Sequence, residues 1–185
     1  GVVRVANIPP CVALTQYLLN AEWSQGIAPR VMAYHSRQAL VLRSEQEKHL
    51  DHVLKRKEKL GEQAAAFSDE VIRQHLDVTD CDNVIFILVA TPVEEVGRDH
   101  DFDWAIVEPS SYRSIIQLSG RVLRHRKLEQ DIQKPNIALM QYNLKGLRKA
   151  KVAFEKPGFE INNDKFKLQN KNLNELLDIS GTEFS

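Results

Sequence analysis

The sequence predicts an α/β fold: a doubly wound, mainly parallel sheet flanked by helices and followed by a C-terminal extension. Three observations carry this. Strand-like and helical runs alternate across residues 1–145, the pattern of strand–helix–strand crossovers. The run "NVIFILVAT" (83–91) is apolar at consecutive positions, as in a parallel strand covered on both faces. An apolar content of 43% beside 27% charged residues suits a full core under a soluble surface.

Taken in order, "VVRVANI" (2–8) is a short β-rich run halted by Pro9-Pro10. "CVALTQYLLNAEW" (11–23) has helical spacing and ends near Gly26. "RVMAYHS" (30–36) reads as a second strand. A long charged helix spans about Gln38 to Leu60, and a short one Asp69 to Leu76. After the central strand at 83–91 come a strand at "WAIVEP" (104–109), a helix from Ser111 to Arg126, and a last strand at "NIALMQY" (136–142). From about Asn143 the pattern breaks into a polar, Asn/Lys-rich stretch. This divides the chain into a core domain, 1–145, and a linker or the start of an accessory domain, 146–185.

Lys+Arg and Asp+Glu cancel at 25 each, so net charge gives no general attraction to nucleic acid or anionic lipid. Cys11 and Cys81 fall in no metal or redox spacing and fit two buried thiols in a reducing, cytoplasmic compartment. No apolar run approaches membrane-spanning length and no signal peptide is visible, so no membrane partner is expected. The chain begins at Gly1 and enters a strand at once, which suggests a piece of a longer protein.

Against that neutral background, "QLSGRVLRHR" (117–126) concentrates positive charge around one glycine. At ~100° per residue, Gln117, Gly120, Arg121 and Arg124 would share one helix face, with Ile115, Leu118 and Val122 among the residues opposite. Gly120 weakens a helix but lets something approach closely, and arginine suits phosphate because its planar fork donates in pairs and stays charged. The alternative is a solvated basic face paired with Glu94, Glu95 or Glu108. His125 and Arg126 would lie at a frayed, solvated helix end.

The loop "TPVEEVGRDHDFDW" (91–104) leaves the central strand at its C-terminal end, where open α/β sheets gather ligands. Thr91 offers a hydroxyl, Gly97 a close backbone approach, and Asp99 a carboxylate for a sugar hydroxyl. Asp99, Asp101 and Asp103 imitate a calcium loop, but the sixth and twelfth positions are Trp104 and Ser110, which rejects it. His100-Asp101 lacks further metal ligands, and no metal site is expected. His49 and His52 read as solvated, as does "KRKEK" (55–59), where nucleic-acid contact is the alternative. No Gly-x-x-x-x-Gly-Lys phosphate loop occurs.

Together these residues resemble the second RecA-like lobe of a superfamily 2 helicase. Thr91, Gly97 and Asp99 match the fifth motif, T-x5-G-x-D. Gln117, Gly120, Arg121 and Arg124 match the sixth, Q-x-x-G-R-x-x-R. "YHSR" (34–37) with "DFDWAIVEPSSYRSIIQLSGRVLRHR" narrows the resemblance to the helicase–nuclease of type I CRISPR–Cas systems, in its I-F variant. It covers about residues 1–145, and "AFEKPGFE" (153–160) resembles that variant's passage towards its C-terminal domain. Pro92 stands where other type I relatives carry glutamine, so no role is carried over to it.

The resemblance implies a division of labour. A first lobe outside this sequence would hold ATP and Mg2+ with its phosphate loop, and an upstream HD nuclease would hold the nuclease metals. This lobe would close over ATP, with Arg124 as the arginine finger, Arg121 beside it and Gln117 orienting the pair. Gly97, Asp99 and Gly120 would line the nucleotide side. Ser36, Arg37 and Thr91 would touch the backbone of single-stranded DNA. The CRISPR surveillance complex and the adaptation integrase would be further partners. The isolated lobe would be inactive. Two other readings stay open: a lobe of another superfamily 2 DNA or RNA helicase, and a non-catalytic α/β module that binds a protein.

Overall fold

The structure, a computed structural model, describes residues 1–59, 61–95, 98–126, 133–155 and 167–177. Five parallel strands form the main sheet in the order β2-β3-β1-β4-β5: β1 (Val2–Arg4), β2 (Ile27–Tyr34), β3 (Asn83–Ala90), β4 (Ala105–Val107) and β5 (Ile137–Leu139). Register aligns Tyr34 with Ala90, Ala90 with Arg4, Arg4 with Val107 and Val107 with Leu139. All five C-terminal ends therefore reach one edge, with β1 in the middle. β3 alternates its apolar residues between two cores, as its unbroken apolar run predicted. Ile87 and Val89 join Val3 and Cys11 on one face. Leu88 and Ala90 join Val2, Tyr34, Val107 and Leu118 on the other.

The helices that cover these faces depart from the sequence reading in informative places. α1 (Ile8–Asn20) takes both prolines into its first turn, where a missing N–H costs no helical bond, so they open the helix and do not precede it. α2 runs Leu40–Val53, shorter than the expected 38–60; position 60 lies outside the described residues. α3 (Glu70–Asp77) is capped by Asp69, whose carboxylate accepts from Ile72 N. Cys11 is buried and Cys81 half-buried, and both are unpaired.

The main correction concerns the arginine segment. α4 spans Tyr112–Ser119, opened by a Ser111/Ser114 capping box, and stops at Gly120. Residues 121–126 are not helical. Arg121 O accepts from Phe102 N, Leu123 N donates back to Phe102 O, and Leu123 takes a left-handed φ of 53°. Glycine is a weak helix residue and Val122 is β-branched, so local propensity resists little. The bonds to Phe102, remote in sequence, then win. Gln117, Gly120, Arg121 and Arg124 therefore do not share a helix face, because the 100° step ends at Gly120.

The described part of the extension folds back onto the core. Leu144 to Leu147 form a short α5 capped by Asn143, whose amide also donates to Ala153 O at 2.9 Å. β6 (Phe154–Glu155) pairs antiparallel with β7 (Lys167–Leu168). α6 (Leu173–Leu176) inserts Leu173 into the core beside Val107 and Leu118. Residues 156–160 of "AFEKPGFE" lie outside the described residues.

Candidate nucleotide and nucleic-acid site

Two loops meet, one leaving the C-terminal end of β3 and one following α4. The first follows β3: Thr91, a 3-10 turn over Pro92–Glu95, then residues 98–103. Gly97 lies outside the described residues. α2 pins this loop. Arg98 reaches Glu47 at 2.7 Å and Asp51 at 3.0 Å, while the Tyr34 hydroxyl donates to Glu47 at 2.8 Å. His100, fully buried, lies between Glu94 at 2.6 Å and Asp51 at 2.9 Å. Burial, and then the bond to Glu47, push the Tyr34 phenol up to about 12. Bonds from Tyr34 and Arg98 hold Glu47 below the usual carboxylate range. Both ring nitrogens of His100 are thus occupied by carboxylates.

The second loop follows α4 and carries the arginines in different roles. Arg121 is only 6% exposed. Its guanidinium donates to the carbonyls of Arg98 and, at 3.1 Å, Glu95. It therefore ties the end of the 3-10 turn to Arg98 within the first loop, and burial lowers its pKa. Arg124 is 43% exposed and lies 3.3 Å from Asp99. Asp99 also meets Lys57 at 2.7 Å and His125 at 2.8 Å; these two partners, Lys57 first, hold its carboxyl well below the ordinary range. Gln117 and Gly120 are exposed on the last turn of α4. A methyl added at Gly120 would lie 3.4 Å from Ile116 O, an ordinary contact, so the chain's own packing does not require glycine there.

His125 and Arg126 reverse their expected role as a solvated helix end. His125 N donates to Asp101 at 3.0 Å. Arg126 grips the same carboxylate at 2.8 and 3.3 Å, Asp103 at 2.5 Å and the carbonyl of Phe102 at 2.8 Å. Burial opposes the charge, but the bonds to Asp101 and Asp103 outweigh it and raise the Arg126 pKa. The basic run 55–59 also docks here in part, with Lys57 on Asp99 and Arg56 3.5 Å from Asp103. Thr91 is buried, whereas Ser36 and Arg37 are exposed in the loop after β2. The two loops adjoin, because Thr91 N donates to Tyr34 O at 3.1 Å.

Sequence reasoning thus selected Asp99, Arg121 and Arg124, which the fold brings around one loop. It missed Arg4 and Arg98, and it read Lys57 and Arg126 as solvated and Glu94 only as a partner of a basic face. An arginine inside the apolar run "VVRVANI" was a signal for Arg4, since a charge on a central strand must be paired. Among the described residues no group of three or more His, Cys, Asp or Glu is arranged to hold a metal, and no helix is long and apolar enough to cross a membrane.

Comparison with known proteins accords with this architecture. Residues 1–127 match the family described as "CRISPR-associated nuclease/helicase Cas3, C-terminal". The chain is 42% identical over 178 residues to the CRISPR-associated nuclease/helicase Cas3 subtype I-F/YPEST of Pseudomonas aeruginosa. It is 43% identical over 178 residues to the protein of that name from Pectobacterium atrosepticum. Each alignment takes in 96% of this chain and 16% of the relative, so the chain spans about one sixth of their length. The crystal structure of T. fusca Cas3 superposes with a TM-score of 0.50 at 18% identity, covering 75% of this chain and 13% of that one, a likeness of fold. The chain belongs to the C-terminal family of the CRISPR-associated nuclease/helicase Cas3.

Proposed function

We propose that this chain is the C-terminal motor lobe of an ATP-dependent single-stranded-DNA translocase. With an upstream HD nuclease, the translocase would unwind and degrade invading DNA in CRISPR interference, in the cytoplasm. One observation carries the reading. Within a cluster of buried, carbonyl- or carboxylate-paired arginines, Arg124 alone is nearly half exposed, paired with the exposed carboxylate of Asp99. Such a cation can change partners. Its position also suits a site shared with a first lobe, which would carry the phosphate loop and the Mg2+.

The residues fit a phosphate chain: Arg124 supplies a mobile partner, Arg121 a fixed charge behind it, and Gly120 an unobstructed edge. ATP, when bound, supplies the phosphoryl transfer that drives lobe movement. Arg124 would leave Asp99 and place its charge where negative charge develops, a contribution of ~10³–10⁵ in rate for a finger arginine. Arg121 would hold the loop from Glu95 to Arg98 while this happens, and Gln117 would face the same ligand. Asp99, once released, could accept from a ribose hydroxyl. Ser36 and Arg37 would contact DNA phosphates without reading sequence, with Thr91 beneath them. The surveillance complex and the adaptation integrase are the proposed protein partners.

The test is Arg124→Ala in the full-length protein, assayed for DNA-stimulated ATPase. Turnover is expected to collapse while ATP binding is largely kept. Near-normal turnover would refute the finger assignment and favour a protein-binding module.

A further inference from the structure

We infer that Arg4 is a positioning residue that sets the two loops of the nucleotide site against each other; the inference rests on the proposed function of that site. Arg4 ends the central strand and is 1% exposed, between buried Val3 and Val5. A guanidinium there needs partners, since an unpaired buried charge is strongly destabilising. Its fork divides among three partners. Nε donates to Glu95 Oε1 at 2.7 Å, Nη1 to Glu108 O at 2.6 Å, and Nη2 to Ser110 Oγ at 2.6 Å.

Each partner leads to a different part of the site. Glu95 closes the 3-10 turn after β3, and its carbonyl is one of the two that accept from Arg121. Ser110 Oγ lies 3.0 Å from Ser114 Oγ, and Ser114 belongs to the capping box that starts α4. The far end of α4 presents Gln117 and Gly120 and leads into Arg121 and Arg124. Glu108 is held in turn by Ala6 N at 2.6 Å and Leu144 N at 2.7 Å. One rigid plane thus touches the loop that Arg121 clamps and, through Ser110, reaches the first turn of the helix that delivers Arg121. Stability alone does not call for this, because a well-packed aliphatic residue replaces a buried ion pair at little or no cost. A planar fork with fixed donor directions supplies the distance between two loops, and lysine, a point charge on a flexible stem, does not.

The test uses the full-length protein and DNA-stimulated ATPase, with kcat and the KM for ATP measured separately. Arg4→Lys is expected to lower kcat by ~10-fold or more and to move KM less than ~3-fold, as for a displaced transition-state contact. Ser110→Ala removes a single partner and should lower kcat by ~3–10-fold with an unchanged melting temperature. Ser110→Thr, which keeps the hydroxyl, should restore it. The double variant Arg4→Lys/Ser110→Ala should be no worse than Arg4→Lys alone, since both break one connection. If Arg4→Lys does not fold, the two Ser110 variants decide the question. Normal kcat in Ser110→Ala and, where it folds, in Arg4→Lys, while Arg124→Ala abolishes turnover, would overturn the role of Arg4 and leave the proposed function standing. So would a kcat loss that merely tracks the fraction of folded protein. Normal turnover in Arg124→Ala would instead remove the proposed function itself.

Discussion

Replacing Arg126 by alanine tests whether the arginine segment is held by buried charge. Arg126 is 14% exposed and Asp101 is fully buried, and two of the four bonds that Arg126 makes here go to that carboxylate. Without the guanidinium, Asp101 keeps the backbone N–H of His125 as a donor but loses the charge that balanced it. Breaking a buried pair by removing one partner costs about 3–5 kcal/mol. The half-exposed Asp103 on the third bond can be rehydrated, which places the cost near the lower limit, about 3 kcal/mol. At ~2–4 °C per kcal/mol for a domain of this size, the melting temperature should fall by ~6–12 °C. Circular-dichroism melts of the chain measure this, with Arg124→Ala as the internal comparison. Arg124 is exposed, so its loss should shift the melt by no more than ~2 °C. Asp101→Asn combined with Arg126→Ala should recover part of the loss, because no unpaired charge is then buried. A melt of Arg126→Ala within ~2 °C of the parent would show that the pair is solvated and that residues 121–126 are not anchored as described.

Two further outcomes follow from neighbouring geometry. Gly120→Ala should leave the fold intact or stabilise it by roughly 0.4–1 kcal/mol, since the added methyl meets Ile116 O at 3.4 Å and Gln117 O at 3.9 Å, both ordinary contacts, with φ at −68°; DNA-stimulated ATPase in the full-length protein should nonetheless fall, and full activity would mean nothing approaches that edge. Tyr34 gives a pH test: its phenol is raised to about 12 in the folded chain against ~10 when unfolded, so the folded state holds the proton more tightly and stability is lost as pH rises through that window. The advantage of wild type over Tyr34→Phe in urea denaturation should therefore shrink between pH ~10 and ~12, and a constant advantage would refute the raised phenol, to which burial contributes first and the Glu47 bond second.

What was legible in the sequence was what local pattern encodes. The unbroken apolar run at 83–91 marked a strand buried on both faces, and the alternation of elements gave the parallel sheet. The loop after that strand was marked as a ligand loop because it leaves the C-terminal edge. What was not legible depends on bonds between distant residues. The helical period gives no sign that Phe102 will capture Arg121 O and Leu123 N and end α4 at Gly120. Arg126 looks like a helix end until Asp101 is seen beneath it. Arg4 finds its partners more than ninety residues away, and Glu94, His100 and Asp51 assemble from two separate elements.

The division among the arginines itself argues for a preorganised site. A buried guanidinium is costly unless every donor is met, and Arg4, Arg121 and Arg126 are met by carbonyls, carboxylates and a serine hydroxyl. None of them can turn to a ligand without leaving a carboxylate or carbonyl unpaired in the interior. Arg124 differs: its partner is exposed, and water can hydrate Asp99 when the pair separates. Three fixed arginines therefore define where the fourth stands, and the fourth can exchange its partner at small cost. Electrostatic catalysis needs charge held in place before reaction, because reorienting it during reaction consumes the benefit. This also removes the difficulty posed by zero net charge. A diffuse basic surface would attract anions everywhere, whereas one exchangeable cation on such a frame would act at a single point.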